Sequence, residues 1–177
     1  LGEDGLKYST SILKVGGTVY QTYLYKYAGV DKTDGKATWL KEVYYDKDGN
    51  KVSSKKDKDY SYTEIVTTKD VSAATKFDCG TTLPDLYGGF GTTVSAYGFD
   101  LSAQFSFQLG GKIYDGGYQA LMHNGISAGQ AMHKDLLDAW SPENPNSDIP
   151  RLSMASTDDP GIASQSPQDR FLTSSNY

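Results

Sequence analysis

FDLSAQFSFQL, residues 99–109, alternates without a break. Phe99, Leu101, Ala103, Phe105, Phe107 and Leu109 are apolar, and Asp100, Ser102, Gln104, Ser106 and Gln108 between them are polar. Successive side chains of a β-strand point to opposite faces, so this stretch reads as a strand with one oily and one wet face. An ordinary strand runs about 5–6 residues, whereas a tilted transmembrane β-strand needs about 9–11. The preceding run, 88–97, carries the same alternation: Gly88, Phe90, Thr92, Val94 and Ala96 on one face, and Gly89, Gly91, Thr93, Ser95 and Tyr97 on the other. The two runs meet at Tyr97-Gly98, where a glycine supplies the positive φ of a tight hairpin. Long two-faced strands joined by a short turn, with long polar connections beyond, describe a hairpin of an outer-membrane barrel. A long hairpin in a soluble sandwich gives the same alternation.

Composition narrows the field. The 177 residues suffice for one domain with a core. A formal charge of -5 gives no ground for nucleic-acid binding. No apolar run approaches the ~20 residues of a membrane helix. Fourteen tyrosines are an excess that lumen walls, membrane-interface girdles and carbohydrate-stacking surfaces would each use. The single cysteine, Cys79, can form no intrachain disulfide and reads as a small buried or loop residue, with no nearby basic cluster to activate it. The start at Leu1 and the polar end at Tyr177 suggest a piece of a longer polypeptide.

Along the chain, 18–27 (TVYQTYLYKY) reads as a strand rich in β-formers, followed by turn signals at 28–31 and 33–35. A short strand at 38–45, a turn at 46–50 and a weakly alternating run at 60–68 make 31–83 a long structured connection. Pro84 cannot donate to a ladder and marks the rim of a transmembrane hairpin over 84–109. Met132, Leu136, Leu137 and Trp140 have helical spacing, which predicts a helix near 129–140, stopped by Pro142. It lies within a second long connection, 110–177. The short turn of such a barrel faces the periplasm and the long loops face outside. The expected class is therefore all-β: a segment of an antiparallel transmembrane β-barrel with long extracellular loops and one short loop helix.

Chemistry-bearing residues are sparse. Asp46-Lys47-Asp48-Gly49-Asn50 has the opening spacing of a calcium loop, but the twelfth position is Asp57 rather than Glu, and Lys55 and Lys56 intervene. An Asp-Gly turn is the commoner use of such residues. His123 and His133, with Asp135 or Asp138, offer metal-ligand types, and loop packing is the commoner use of these too. The carboxylate pairs Asp158-Asp159 and Asp135-Asp138 do not by sequence adjacency make the cleft that glycosidase chemistry needs. No catalytic, metal or cofactor assignment follows. Loop aromatics are the candidate ligand contacts: Trp39, Tyr44, Tyr45, Tyr114 and Tyr118, whose flat faces suit sugar C–H groups. Trp140 shares a helical register with Leu136 and Leu137 and reads as core instead.

LPDLYGGFGTTVSAYGFDLSAQFSFQLGGKIYD, residues 83–115, resembles the C-terminal barrel region of SusC/RagA-type TonB-dependent outer-membrane transporters. YKYAGVDKTDG (25–35), YYDKDGNKV (44–52), HKDLLDAWSPENPNSDIPRL (133–152) and DRFLTSSNY (169–177) are similar to flanking segments of that family in the same order. The resemblance implies a 22-stranded barrel in the outer membrane of a Gram-negative bacterium, with an N-terminal plug energised by TonB and a SusD-like lipoprotein outside. It implies import of oligosaccharides, or peptides in some members, and no enzymatic activity. The plug and the remaining strands would lie on another chain or a missing segment, with outer-membrane lipid against the wall. Two rivals stand beside it: a soluble extracellular carbohydrate-binding β-module and a secreted β-rich enzyme.

Overall fold

A computed structural model describes residues 5–123, 125, 129–153 and 165–177. The strands are β1 (Leu6–Lys7), β2 (Ser11–Leu13), β3 (Gln21–Tyr25), β4 (Tyr27–Val30), β5 (Ala37–Tyr45), β6 (Lys51–Val52), β7 (Tyr62–Thr68), β8 (Lys76–Thr81), β9 (Leu86–Ala96), β10 (Phe99–Leu109), β11 (Lys112–Tyr114) and β12 (Leu172–Ser174), with one short helix, α1 (Gly116–Leu121). They divide between two compact units, one of residues up to Tyr23, Asp78–Asp115 and Leu172–Tyr177, the other of Leu24–Phe77 and Gly116–Phe171.

The first unit holds the β9–β10 hairpin. The ladder is unbroken over eleven pairs, from Phe99 opposite Ala96 to Leu109 opposite Leu86. This register puts Leu86, Gly88, Phe90, Thr92, Val94 and Ala96 opposite the six apolar residues of β10, and every polar residue of β10 opposite the other face of β9. Phe90 and Phe105 stack with centroids 5.0 Å apart, and Thr93 and Ser102 hydroxyls meet at 3.2 Å on the opposite face. Gly88 lies beneath the Phe107 ring, which a Cβ at that position would meet at 3.0 Å. An aromatic ring over a strand glycine restores cover that the missing side chain cannot supply. The sheet β1-β2-β3-β8 and the small β11–β12 pair complete this unit, with Ile12 and Cys79 buried in it.

The second unit is built on β5, which pairs with β4 and β6 and, over its length from Trp39 to Tyr45, with β7. Its core is Leu24, Ala37, Trp39, Met122, Leu136 and Phe171. The strand expected over 18–27 is two strands, β3 and β4, that part at Lys26. The helix expected near 129–140 is instead a 3-10 turn, Lys134–Asp138, capped by His133, whose Nδ1 accepts from the Asp135 amide at 3.2 Å. The apolar residues there do not share one buried stripe: Leu136 is buried, while Leu137 is 90% exposed and Met132 is also exposed. Trp140 leaves the turn, its amide donating to Ile149 O at 2.8 Å.

Trp140 packs against Gly35, which sits at φ +71° with a Cβ position that falls inside the indole ring. Gly35 O also accepts from the Arg151 amide at 2.9 Å. A Gly35→Ala substitution meets both a left-handed backbone and an occupied space. The expected cost is about 1–3 kcal/mol, read as faster hydrogen exchange at Arg151 and Trp140 in the full-length protein. Unchanged exchange would contradict this packing.

Candidate functional site

The hairpin's apolar face is exposed along its length. Phe99 is 80% exposed, and Phe90, Val94, Leu101, Phe105, Leu86 and Leu109 are all exposed with it. Contiguous apolar surface of this kind on a soluble monomer marks an interaction or membrane surface. At ~3.3 Å per residue, eleven residues span about 36 Å, and a tilt near 45° leaves about 25 Å along the normal, the height of a barrel's apolar band. Among the described residues no helix is long and apolar enough to cross a membrane. The opposite face carries Ser102, Gln104, Ser106 and Gln108 against Thr93, Gly91, Gly89 and Tyr87, the polar lining a barrel lumen needs.

In the second unit a cleft of about 440 Å³ is lined by Tyr27, Gly29, Tyr118, Met122, Asp148 and Arg170 among others. Ligand pockets fall within about 300–1,000 Å³. The Arg170 guanidinium lies over the Tyr27 ring at 5.1 Å and the Phe171 ring at 4.9 Å, a cation–π arrangement. Tyr27 donates its hydroxyl hydrogen to Asp148 O at 2.8 Å. Tyr118 donates to Asp135 Oδ2 at 2.9 Å and meets the His133 and Phe171 rings edge-on.

Of the aromatic candidates, only Tyr118 lines this cleft. Trp39 is 0% exposed, and its indole N–H donates to Gln168 Oε1 at 2.8 Å. It is a core group with no face to offer a ligand, because an extended β5 pins it between the β4 and β7 partners. Tyr44 donates to Glu42 Oε2 at 2.8 Å and lies between the Tyr60 ring and the Lys55 ammonium. Tyr45 stacks on Tyr62, centroids 5.2 Å apart; burial, and then the hydrogen bond to Glu64, push its phenol up from the ordinary tyrosine range. Tyr114 is half-buried at the end of β11, opposite Leu172. Tyr27 and Arg170 were not among the sequence candidates; 143 positions separate them, and no local signal links them.

The remaining candidates have structural uses. Asp46 accepts from the Asp48 and Asn50 amides and from the Asn50 side chain, at 2.8–3.0 Å, closing an Asx turn with Gly49 at φ +82°. His123 is buried, its Nδ1 accepting from the Gly125 amide and its Nε2 at 3.2 Å from Ala131 O. Asp135 holds Tyr118, and Asp158 and Asp159 lie outside the described residues. Among the described residues no group of three or more His, Cys, Asp or Glu side chains is placed to hold a metal.

A charged clamp fixes the turn that enters β5. Lys69 Nζ sits 2.6 Å from Asp31 and 2.9 Å from Asp34. The Lys69 hydrogen bond, with the Thr33 amide behind it, holds the Asp31 carboxyl down at about 2 against the ordinary aspartate value of 3.8. A depressed carboxylate contributes stability above its unfolded pKa that is lost as pH falls through the folded one. The contribution is thus complete above pH about 4 and disappears towards pH 2. Side-chain carbon NMR should place the Asp31 titration near the lower value, and Lys69→Met should return it towards 3.8. An Asp31 titration unmoved by Lys69→Met would count against the clamp.

No protein-family model matches the chain. TonB-dependent receptor P3 of Formosa agariphila is 28% identical over 156 residues, 82% of this chain and 13% of that protein. TonB-dependent receptor P26 of the same organism is 36% identical over 73 residues, 41% of this chain and 7% of that protein. The solved structure of the RagAB peptide transporter superposes over 97% of this chain with a TM-score of 0.66 at 27% identity. Its closed-closed state as a peptide importer gives 0.63 at 25% identity. The chain spans about 16% of those transporter chains and a smaller share of the receptors. By sequence and by fold, the chain is related to TonB-dependent receptors and has the architecture of a segment of a SusC/RagA-type transmembrane β-barrel.

Proposed function

We propose that the polypeptide carrying these residues imports oligosaccharides or peptides across the outer membrane of a Gram-negative cell. The β9–β10 hairpin is part of its wall, with the Tyr97-Gly98 turn in the periplasm and the connections 31–83 and 110–177 outside. TonB drives uptake through a plug domain carried outside this chain, and a SusD-like surface lipoprotein closes over the loops. The observation that carries this reading is the register of the hairpin, which gathers its exposed apolar residues onto one face of bilayer height. The likeness to a peptide transporter favours the peptide arm of the substrate choice.

In this reading the chain performs no chemical step. Its wall satisfies the backbone hydrogen bonds that lipid cannot, and its loops present rings to the cargo. Tyr118, at the cleft, is the foremost of these, with Tyr44, Tyr45 and Tyr114 as further contacts. The test uses the full-length protein in its own cell, with labelled oligopeptides and labelled oligosaccharides as probes. Uptake of one class should depend on both this protein and TonB, and a surface lipoprotein should co-purify in detergent. Recovery of the full-length protein as a water-soluble monomer without detergent would overturn the proposal.

A further inference from the structure

Arg170 lines the cleft of the second unit with its charge unanswered by the protein. Its Nε and Nη2 nitrogens are buried and have no hydrogen-bond partner. Among the described residues no carboxylate forms an ion pair with it. Asp169, its neighbour in sequence, is committed elsewhere: Oδ1 accepts from the Tyr27 amide at 2.9 Å. What meets the guanidinium is aromatic, the Tyr27 and Phe171 rings at 5.1 and 4.9 Å. Such rings steady a guanidinium and attract it, but they are not a counter-ion. A buried cation without an anion is costly, and an unpaired buried polar group in a native fold calls for an explanation. The other walls bear on which anion fits. Met122 and Ile149 are apolar and Tyr118 is aromatic, and Gly29, at φ +97°, leaves open space where a side chain would stand. Asp148, an exposed carboxylate, lies on the same cleft. A cargo charged on every unit, such as a polyuronate, would set one carboxylate beside Arg170 and bring the next towards Asp148. A peptide ends in one carboxylate with an uncharged backbone behind it.

We propose that this cleft binds the free C-terminal carboxylate of an oligopeptide, with Arg170 as the cation that meets it and Met122 and Ile149 against the last side chain. A guanidinium is planar and matches a carboxylate with two parallel hydrogen bonds. Presenting that edge to the cleft takes a rotation of the Arg170 side chain, and the two covered nitrogens have no hydrogen bond to give up. The inference rests on the importer reading above and deepens it. Recognition of the chain end lets peptides of differing sequence share one site.

The test uses the full-length protein in detergent and titration calorimetry. The probes are acetyl-Ala-Ala-Ala-Leu with a free carboxylate, the same peptide as its C-terminal amide, and tetragalacturonate. The acid should bind the parent about 10- to 100-fold more tightly than the amide, the range of a hydrogen bond to a charged group. That comparison needs no variant, so it stands even where a substitution disturbs the Tyr27 stack. Arg170→Gln should bring the acid down to the amide's affinity and leave the amide where it was. Equal binding of acid and amide by the parent, or an acid preference that survives Arg170→Gln, overturns the inference. So does tetragalacturonate binding more tightly than the acid. Uptake of the acid, labelled on its acetyl group, is followed separately in cells with and without TonB. An acid preference without TonB-dependent uptake keeps the carboxylate site and sinks the importer reading. TonB-dependent uptake with equal binding of acid and amide does the reverse.

Discussion

A lysine at position 105 is expected to prevent the barrel from assembling, while a lysine at 106 is not. Phe105 is one residue from the middle of β10 and stands on the exposed apolar face. Charge on the lipid face at the bilayer midplane costs about 2–4 kcal/mol, and the Phe90 stack is lost as well. Ser106 lies on the other face, opposite Gly89, where no side chain competes for space. The pair differs by one step along one strand, so expression, helix content and loop composition are shared. The fraction of heat-modifiable, membrane-inserted protein in outer-membrane preparations measures the outcome. A Phe105→Leu control keeps the face oily and should assemble. Equal behaviour of the two lysine variants would mean that the ladder's two faces do not meet two solvents.

The second large effect belongs to Trp39. Its indole is fully buried and fixed by Gln168, whose side chain is itself 0% exposed. Trp39→Ala should destabilise the second unit by about 3–5 kcal/mol, from lost apolar burial plus the cavity left behind. Trp39→Phe retains most of the packing but strands the Gln168 carbonyl oxygen in the core, at a cost of about 1–3 kcal/mol. Hydrogen exchange at the β5 and β7 amides in the full-length protein resolves the two. The pattern expected is Ala much worse than Phe, and Phe measurably worse than the parent. A Phe variant as protected as the parent would show the buried hydrogen bond to be dispensable. Because the effect runs through the core, protection should fall across the second unit rather than at any single contact.

The hairpin was legible because its determinant is local. Strand alternation has period two, so the sorting of Phe105 from Ser106 is written in the order of the residues. The chain elsewhere is less readable because its determinants are distant. Trp39 looks like a loop aromatic until Gln168, 129 positions away, supplies the partner that makes it core. A still longer separation hides the cleft, where Tyr27 and Arg170 come together across most of the chain. The segment 129–140 misleads for a different reason. Its apolar spacing fits a helix, but the capping turn at His133 and the withdrawal of Trp140 towards Gly35 leave Leu137 exposed. Long-range packing outweighs a weak helical pattern there.

Beyond the β9–β10 ladder, β10 has a second docking contact at its Leu109 end. Tyr177 and Gln108 exchange both main-chain hydrogen bonds, at 2.9 and 3.1 Å, and the Gln108 amide group reaches Ser175 Oγ at 3.1 Å. A reciprocal pair of this kind fixes phase as the first tooth of a zip does. Any strand drawn on from Tyr177 along this flank would place its next side chain opposite Phe107, on the oily side, and the one after opposite Ser106, on the wet side. The sidedness of that flank is thus set at a single residue, and a one-residue insertion between Ser175 and Tyr177 would exchange its oily and wet sides.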